Sequence, residues 1–215
     1  MSSRSRAGAA CLVIGPLLGL VAMLITHSVS HHAADQAAAF TAHPTAARLG
    51  LGIGALAVVL LAGGLVWLAW MTHERSPGLA FAGGVLGVLG SFSVVADDLV
   101  HLSGALIANG HSVTQATSLI DPLYSGGVVA VGPLSELGDL GTILLVVAAL
   151  RIGAPRWAAA VVIVGVLVEG AGFGIGTRYL AAVGFVLAFV GFAAIVRALL
   201  SGQPAVEPAM AAQHV

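Results

Sequence analysis

The chain has 215 residues, 59% of them hydrophobic and only 8% charged, with a mean hydropathy of +1.05 and a formal charge of −1. Soluble domains are about half apolar and about a quarter charged, so this composition excludes a water-covered globule and points to one membrane-embedded bundle. The near-zero charge supplies no basic patch and argues against nucleic acid as a partner. The single cysteine, Cys11, rules out an intrachain disulfide, and the absence of lysine rules out Schiff-base chemistry at a lysine.

A span needs about 20 mainly apolar residues. The first run, at about 8–27, follows Arg4 and Arg6 and has the look of a secretory leader. Further apolar runs follow it, so it is read as an uncleaved first span. A polar connection rich in histidine, "HSVSHHAADQAAAFTAHPTAAR", leads to a second span at about 47–71. The short corner "THERSPG" turns into a third at about 78–99. After the long connection "HLSGALIANGHSVTQATSLIDPLYSGG" come spans at about 129–150, 157–176 and 179–200, the first two joined by "RIGAPR". Residues 201–215 are rich in Pro and Ala, lack an apolar period and read as a disordered tail. The expected fold is therefore all-α, a six-helix transmembrane bundle. The two long connections contain apolar stretches and are expected to form short interfacial helices.

Arginine placement sets the orientation. With both termini cytoplasmic, Arg4, Arg6, Arg75, Arg151, Arg156 and Arg197 lie inside, and only Arg48 and Arg178 outside, as the positive-inside rule requires. Trp67, Trp70 and Trp157 then fall at the inner interface and Tyr124 and Tyr179 at the outer one, where belt aromatics belong. The lysine-free, Ala/Gly/Val-rich composition suits a bacterial inner-membrane protein. Glycines recur four apart at Gly15/Gly19, Gly50/Gly54, Gly83/Gly87, Gly170/Gly174 and Gly172/Gly176. That spacing lets helices approach closely, either within the bundle or toward a second copy or a partner subunit.

Charges in a span cost about 2.5–3.5 kcal/mol each on insertion scales, so each needs a reason. At the outer face His27, His31, His32, His43, His101 and His111 gather with Asp35, Asp97, Asp98 and Asp121. His27 and His31 are one turn apart, as are Asp97 and His101. Those two pairs at one level make His27, His31, Asp97 and His101 a candidate ligand set for a divalent metal, zinc or copper. Hydrated helix ends explain the same residues without a metal. Deeper in the bundle, Glu136 and Asp139 share a face of the fourth span and Glu169 lies near the middle of the fifth. An acid in hydrocarbon takes up a proton and donates it in a hydrogen bond, or serves a proton or cation relay. Alternatively, if the fourth helix starts at Pro133, Glu136 occupies its first turn, where the dipole favours an anion.

The stretches "HPTAARLGLGIGALAVVLL" and "LGDLGTILLVVAALRIGAPRW", running into "VVIVGVLVEGAGFG", carry a resemblance. The layout resembles a bacterial domain-of-unknown-function family of six-span membrane proteins, in which an apolar helix ends in an R-x-G-x-x-P-R-like corner. Arg151, Gly153, Pro155 and Arg156 match that corner with one residue fewer, whereas "HSVSHHAAD" departs from the family pattern. The resemblance implies the fold and a membrane location, and assigns no site residue.

The leading functional expectation is a non-enzymatic membrane protein that binds or relays a small cation or proton through Asp97, Asp98, Glu136, Asp139 and Glu169. The alternatives are a metal-dependent membrane enzyme using the outer His/Asp set, and a structural subunit of a membrane complex. No H-E-x-x-H or C-x-x-C motif is present, and no nucleophile has an adjacent base.

Overall fold

A computed structural model describes residues 3–26, 30 and 32–202, and among these the chain is helical throughout, without a strand. His27 and His31, and nearly all of the tail expected to be disordered, lie outside the described residues. The helices are α1 (Ser3–Ile25), α2 (Ala33–Ala42), α3 (Pro44–Thr72), α4 (Pro77–Ala108), α5 (Val113–Leu123), α6 (Val129–Leu150), α7 (Arg156–Gly174) and α8 (Arg178–Ser201). A single π turn, Tyr124–Val128, joins α5 to α6. Helix is the form that satisfies every backbone group of an apolar run without water. Five of these helices, α1, α3, α4, α7 and α8, are long and apolar enough to cross a membrane, which makes the chain a multi-pass membrane protein by composition.

The six long helices pack in chain order around a closed ring: α1 on α3, α3 on α4, α4 on α6, α6 on α7, α7 on α8, and α8 back on α1. At one end, Arg151 Nη1 donates to Ser76 Oγ at 3.3 Å, tying the α6–α7 corner to the start of α4. At that corner Gly153 takes φ +99°, which a side chain would resist, and Ala154 N–H returns to Ala149 O at 3.0 Å. At the other end, Arg178 Nη1 donates to the Thr26 carbonyl at 2.9 Å, holding the end of α1 against the start of α8. The short helices α2 and α5 pack on each other and on α4 at this second end. A capping box between Ser112 and Gln115 starts α5.

Glycine explains the tightest contacts. Gly83, Gly87 and Gly90 of α4 lie against Gly138 and Gly141 of α6. A Cβ at Gly90 would fall on the backbone nitrogen and Cα of Gly138, and one at Gly141 on the Gly87 nitrogen. Gly15 meets Leu61 and Ala57 of α3, and Gly19 meets Phe185 of α8. These close approaches are within one chain. A stripe of exposed apolar side chains on α4 (Phe81, Val85, Leu89, Phe92, Leu99 and Leu106) is a surface for lipid rather than water.

Three expectations need correction. The third apolar helix does not end near 99 but continues to Ala108, carrying the second half of the acidic stretch with it. Helix α6 begins at Val129, so Glu136 lies about two turns in and not in a first turn at Pro133. Of the belt aromatics, Trp70, Trp157 and Tyr179 are well exposed, but Trp67 and Tyr124 are buried. Trp67 covers Gly8 of α1, and Tyr124 packs beneath the α2–α5 cap.

Candidate cation site

Two apolar clusters occupy opposite ends of the ring. One joins α1, α3, α6, α7 and α8 through Leu12, Leu65, Leu68, Leu145, Val162 and Phe192. The other, under the short helices, contains Phe40, Ala47, Ala105, Ala116, Ile120 and Tyr124. Along α3 they leave a stretch of small residues around Gly54, and the acids of α4 lie beside it. Counted from Pro77, Asp97 is about 30 Å along α4, one hydrocarbon thickness from the helix start.

Asp97 and His101 are one turn apart on α4 and meet. His101 Nδ1 lies 2.9 Å from the Asp97 carbonyl oxygen and 3.4 Å from its Oδ2. A carbonyl oxygen only accepts, so Nδ1 carries the hydrogen in this contact. The imidazole is buried and stands edge-on to the Tyr124 ring, with centroids 4.8 Å apart at 65°. The Tyr124 hydroxyl is buried with no hydrogen-bond partner among the described residues. Burial first, then the charge of Asp97, pushes its pKa well above the usual tyrosine range. Removing a buried hydroxyl that has no partner relieves its desolvation cost. Tyr124→Phe should therefore leave thermal stability unchanged or raise it by about 1 kcal/mol, while Tyr124→Ala should lower it by about 3 kcal/mol. Melting curves of the two variants test this contrast.

Asp98 is turned to the ring interior. A Cβ placed on Gly54 of α3 would lie 3.5 Å from Asp98 Oδ2 and 3.9 Å from the Ala22 side chain of α1. The space left by that glycine is part of a cavity of about 80 Å³. Its polar wall comprises Asp97, Asp98 and His101 with Thr26, just past α1, and Gln36 of α2. Its apolar wall includes Met23, Phe40, Leu51 and Phe173. Among the described residues no arginine lines it. The neighbouring Arg178 is engaged with the Thr26 carbonyl and, at 2.9 Å through Nη2, with the Tyr179 hydroxyl.

Gln36 was not singled out from the sequence. It sits in "AADQAAAF", 2% exposed, and its Nε2 donates to Ser30 O at 2.6 Å. That bond points the amide oxygen the other way, where Oε1 has no partner among the described residues. The available signal was weak: one amide four residues before Phe40, on the only large apolar face of a short alanine-rich helix.

The deeper acids divide. Asp139 of α6 and Glu169 of α7 are electrostatic neighbours across the α6–α7 contact. A Cβ on Gly170 would lie 3.4 Å from Asp139 Oδ2, and Gly184 of α8 lets that helix close on the backbone of Glu169. Glu136 is exposed. Phe173 follows Glu169 by one helical turn, so α7 carries both a wall of the cavity and this acid on one face.

The other groups expected at the outer face stay apart from this site. His32, His43, His111, Asp35 and Asp121 are exposed, and Asp35 accepts from Ser30 Oγ at 2.8 Å. Of the expected metal ligands, Asp97 and His101 come together, and His27 and His31 lie outside the described residues. Among the described residues no three His, Cys, Asp or Glu side chains converge as a metal ligand set.

No family model, curated protein or solved structure matches the chain.

Proposed function

We propose that the chain crosses a bacterial inner membrane six times, with both termini cytoplasmic, and binds or relays a small cation or proton. The observation that carries this reading is Asp98 facing a cavity beside Gly54, with no arginine among the described residues of its wall. A carboxylate away from bulk water is costly without a counter-charge. A cavity bounded by two aspartates and a histidine supplies the room for one. The pair Asp139–Glu169, reached along α7 past Phe173, extends acidic groups toward the other side of the bundle. Helix α6 completes the ring between α4 and α7 and joins the capped end to the Arg151 corner, which supports its reading as the sixth crossing. The arginine distribution supports the orientation, and α2 and α5 are then helices of the outer interface.

Two experiments test this reading. A reporter fused after residue 110 should be found outside the cytoplasm; a cytosolic reporter would reverse the orientation and remove the outer site. In proteoliposomes, Glu169→Gln should reduce cation-driven proton movement by roughly tenfold or more, the effect expected of an intramembrane acid on the path. Wild-type flux in that variant would take Glu169 out of the relay.

A further inference from the structure

The uncommitted groups around the outer cavity select among cations. Gln36 donates one Nε2–H to the Ser30 carbonyl, leaving Oε1 buried as an acceptor. Asp98 presents carboxylate oxygens, which accept. His101 commits its Nδ1–H to the Asp97 carbonyl. A ligand that satisfies these groups must bring donors or positive charge. The rest of the wall is apolar and partly aromatic, with Met23, Leu51, Phe40 and Phe173. A bare metal ion would find few oxygens or nitrogens on that side. A cation with an apolar flank fits both walls. The cavity, about 80 Å³, has room for more than one water, each needing about 10–15 Å³.

Building on the reading of this cavity as a cation site, we propose that its ligand is a small primary ammonium ion. Its N–H groups are taken by Asp98 and by Gln36 Oε1, and its carbon lies against Phe40 and Phe173, whose ring faces attract a cation. Selectivity over alkali ions comes from the apolar wall, which offers no oxygen to complete a metal ion's coordination shell. Selectivity over quaternary ammonium comes from the need for N–H.

The test is calorimetric titration of the purified full chain with methylammonium, with tetramethylammonium as competitor, and with sodium and zinc as separate arms. Wild type should bind methylammonium saturably and tetramethylammonium should not displace it. Gln36→Leu should weaken methylammonium binding by roughly tenfold, the worth of one charge-assisted hydrogen bond. Gly54→Val, which keeps every polar group and fills the cavity beside Asp98, should abolish it. Equal competition by tetramethylammonium, or unchanged binding in both variants, would overturn the ammonium assignment, and the competitor arm decides this on wild type even if a variant fails to fold. Asp98-dependent binding of sodium or zinc but not methylammonium would also overturn it, while leaving the cation-site reading intact. Absence of any Asp98-dependent cation binding would remove both.

Discussion

Gly90→Leu should cost the protein its folded bundle. The reason is local: the position where a Cβ would sit is already taken by the Gly138 backbone, so α4 and α6 must separate to admit any side chain. Overpacking a core costs about 1–3 kcal/mol even when only side chains must shift. Here the obstacle is backbone, and several kcal/mol is the expected scale. At about 2–4 °C per kcal/mol for a chain of this size, the melting temperature should fall by roughly 10 °C or more, with loss of the monodisperse peak in size-exclusion chromatography. Gly78→Leu is the control. Gly78, in the first turn of α4, has open space where its Cβ would be, and its variant should melt like wild type. Equal melting of the two variants would mean that the α4–α6 seam does not hold the bundle together.

Asp98→Asn carries the second large effect. Asparagine keeps the volume beside Gly54 and removes the negative charge. Losing one partner of a desolvated charge pair typically costs about 2–5 kcal/mol of binding, so cation affinity should fall by about two orders of magnitude. Asp97→Asn should act more mildly through the ring it faces. The Asp97 carbonyl, which survives the substitution, still accepts from His101 Nδ1, while the contact to Oδ2 loses its charge. Titrating both variants with the same cation separates the two roles, and similar losses in both would mean that the acids act as one diffuse charge rather than as a site with Asp98 at its centre.

Much of the fold was legible because lipid imposes a simple rule. Apolar runs long enough to cross hydrocarbon become helices, and Val129–Leu150 and Arg178–Ser201 fall almost where composition places them. The misplaced boundary has a physical cause. "HLSGAL" reads as the end of a span because His101 and Ser103 are polar. In the folded chain His101 turns inward under Tyr124, Ser103 Oγ donates back to the Leu99 carbonyl at 2.8 Å, and the helix continues to Ala108. The belt expectation failed for Trp67 and Tyr124 for a related reason. Distance along the chain gives the depth of an aromatic ring, not whether it faces lipid or a neighbouring helix.

The candidate site was legible in part. Asp97, Asp98 and His101 stand out as polar residues closing an apolar run, and Asp139 and Glu169 as acids inside two others. Their partners did not stand out. Gly54 was visible as a spacing element but not as the gap that opens the cavity, and Gln36 lies in a connection whose helix α2 folds back over the bundle. Gly90, Gly138 and Gly141 were lost among 29 glycines, because only the pairing of α4 with α6 distinguishes a seam glycine from an open one such as Gly78.

The most direct test of the cation site is nuclear magnetic resonance of the full chain with carbon-13 in its aspartate carboxyls, titrated with methylammonium and with sodium. The account predicts that the Asp98 signal moves most, that Asp97 follows, and that the exposed Asp35 and Asp121 stay in place. An Asp98 signal that does not shift at saturating concentrations of either cation would contradict it.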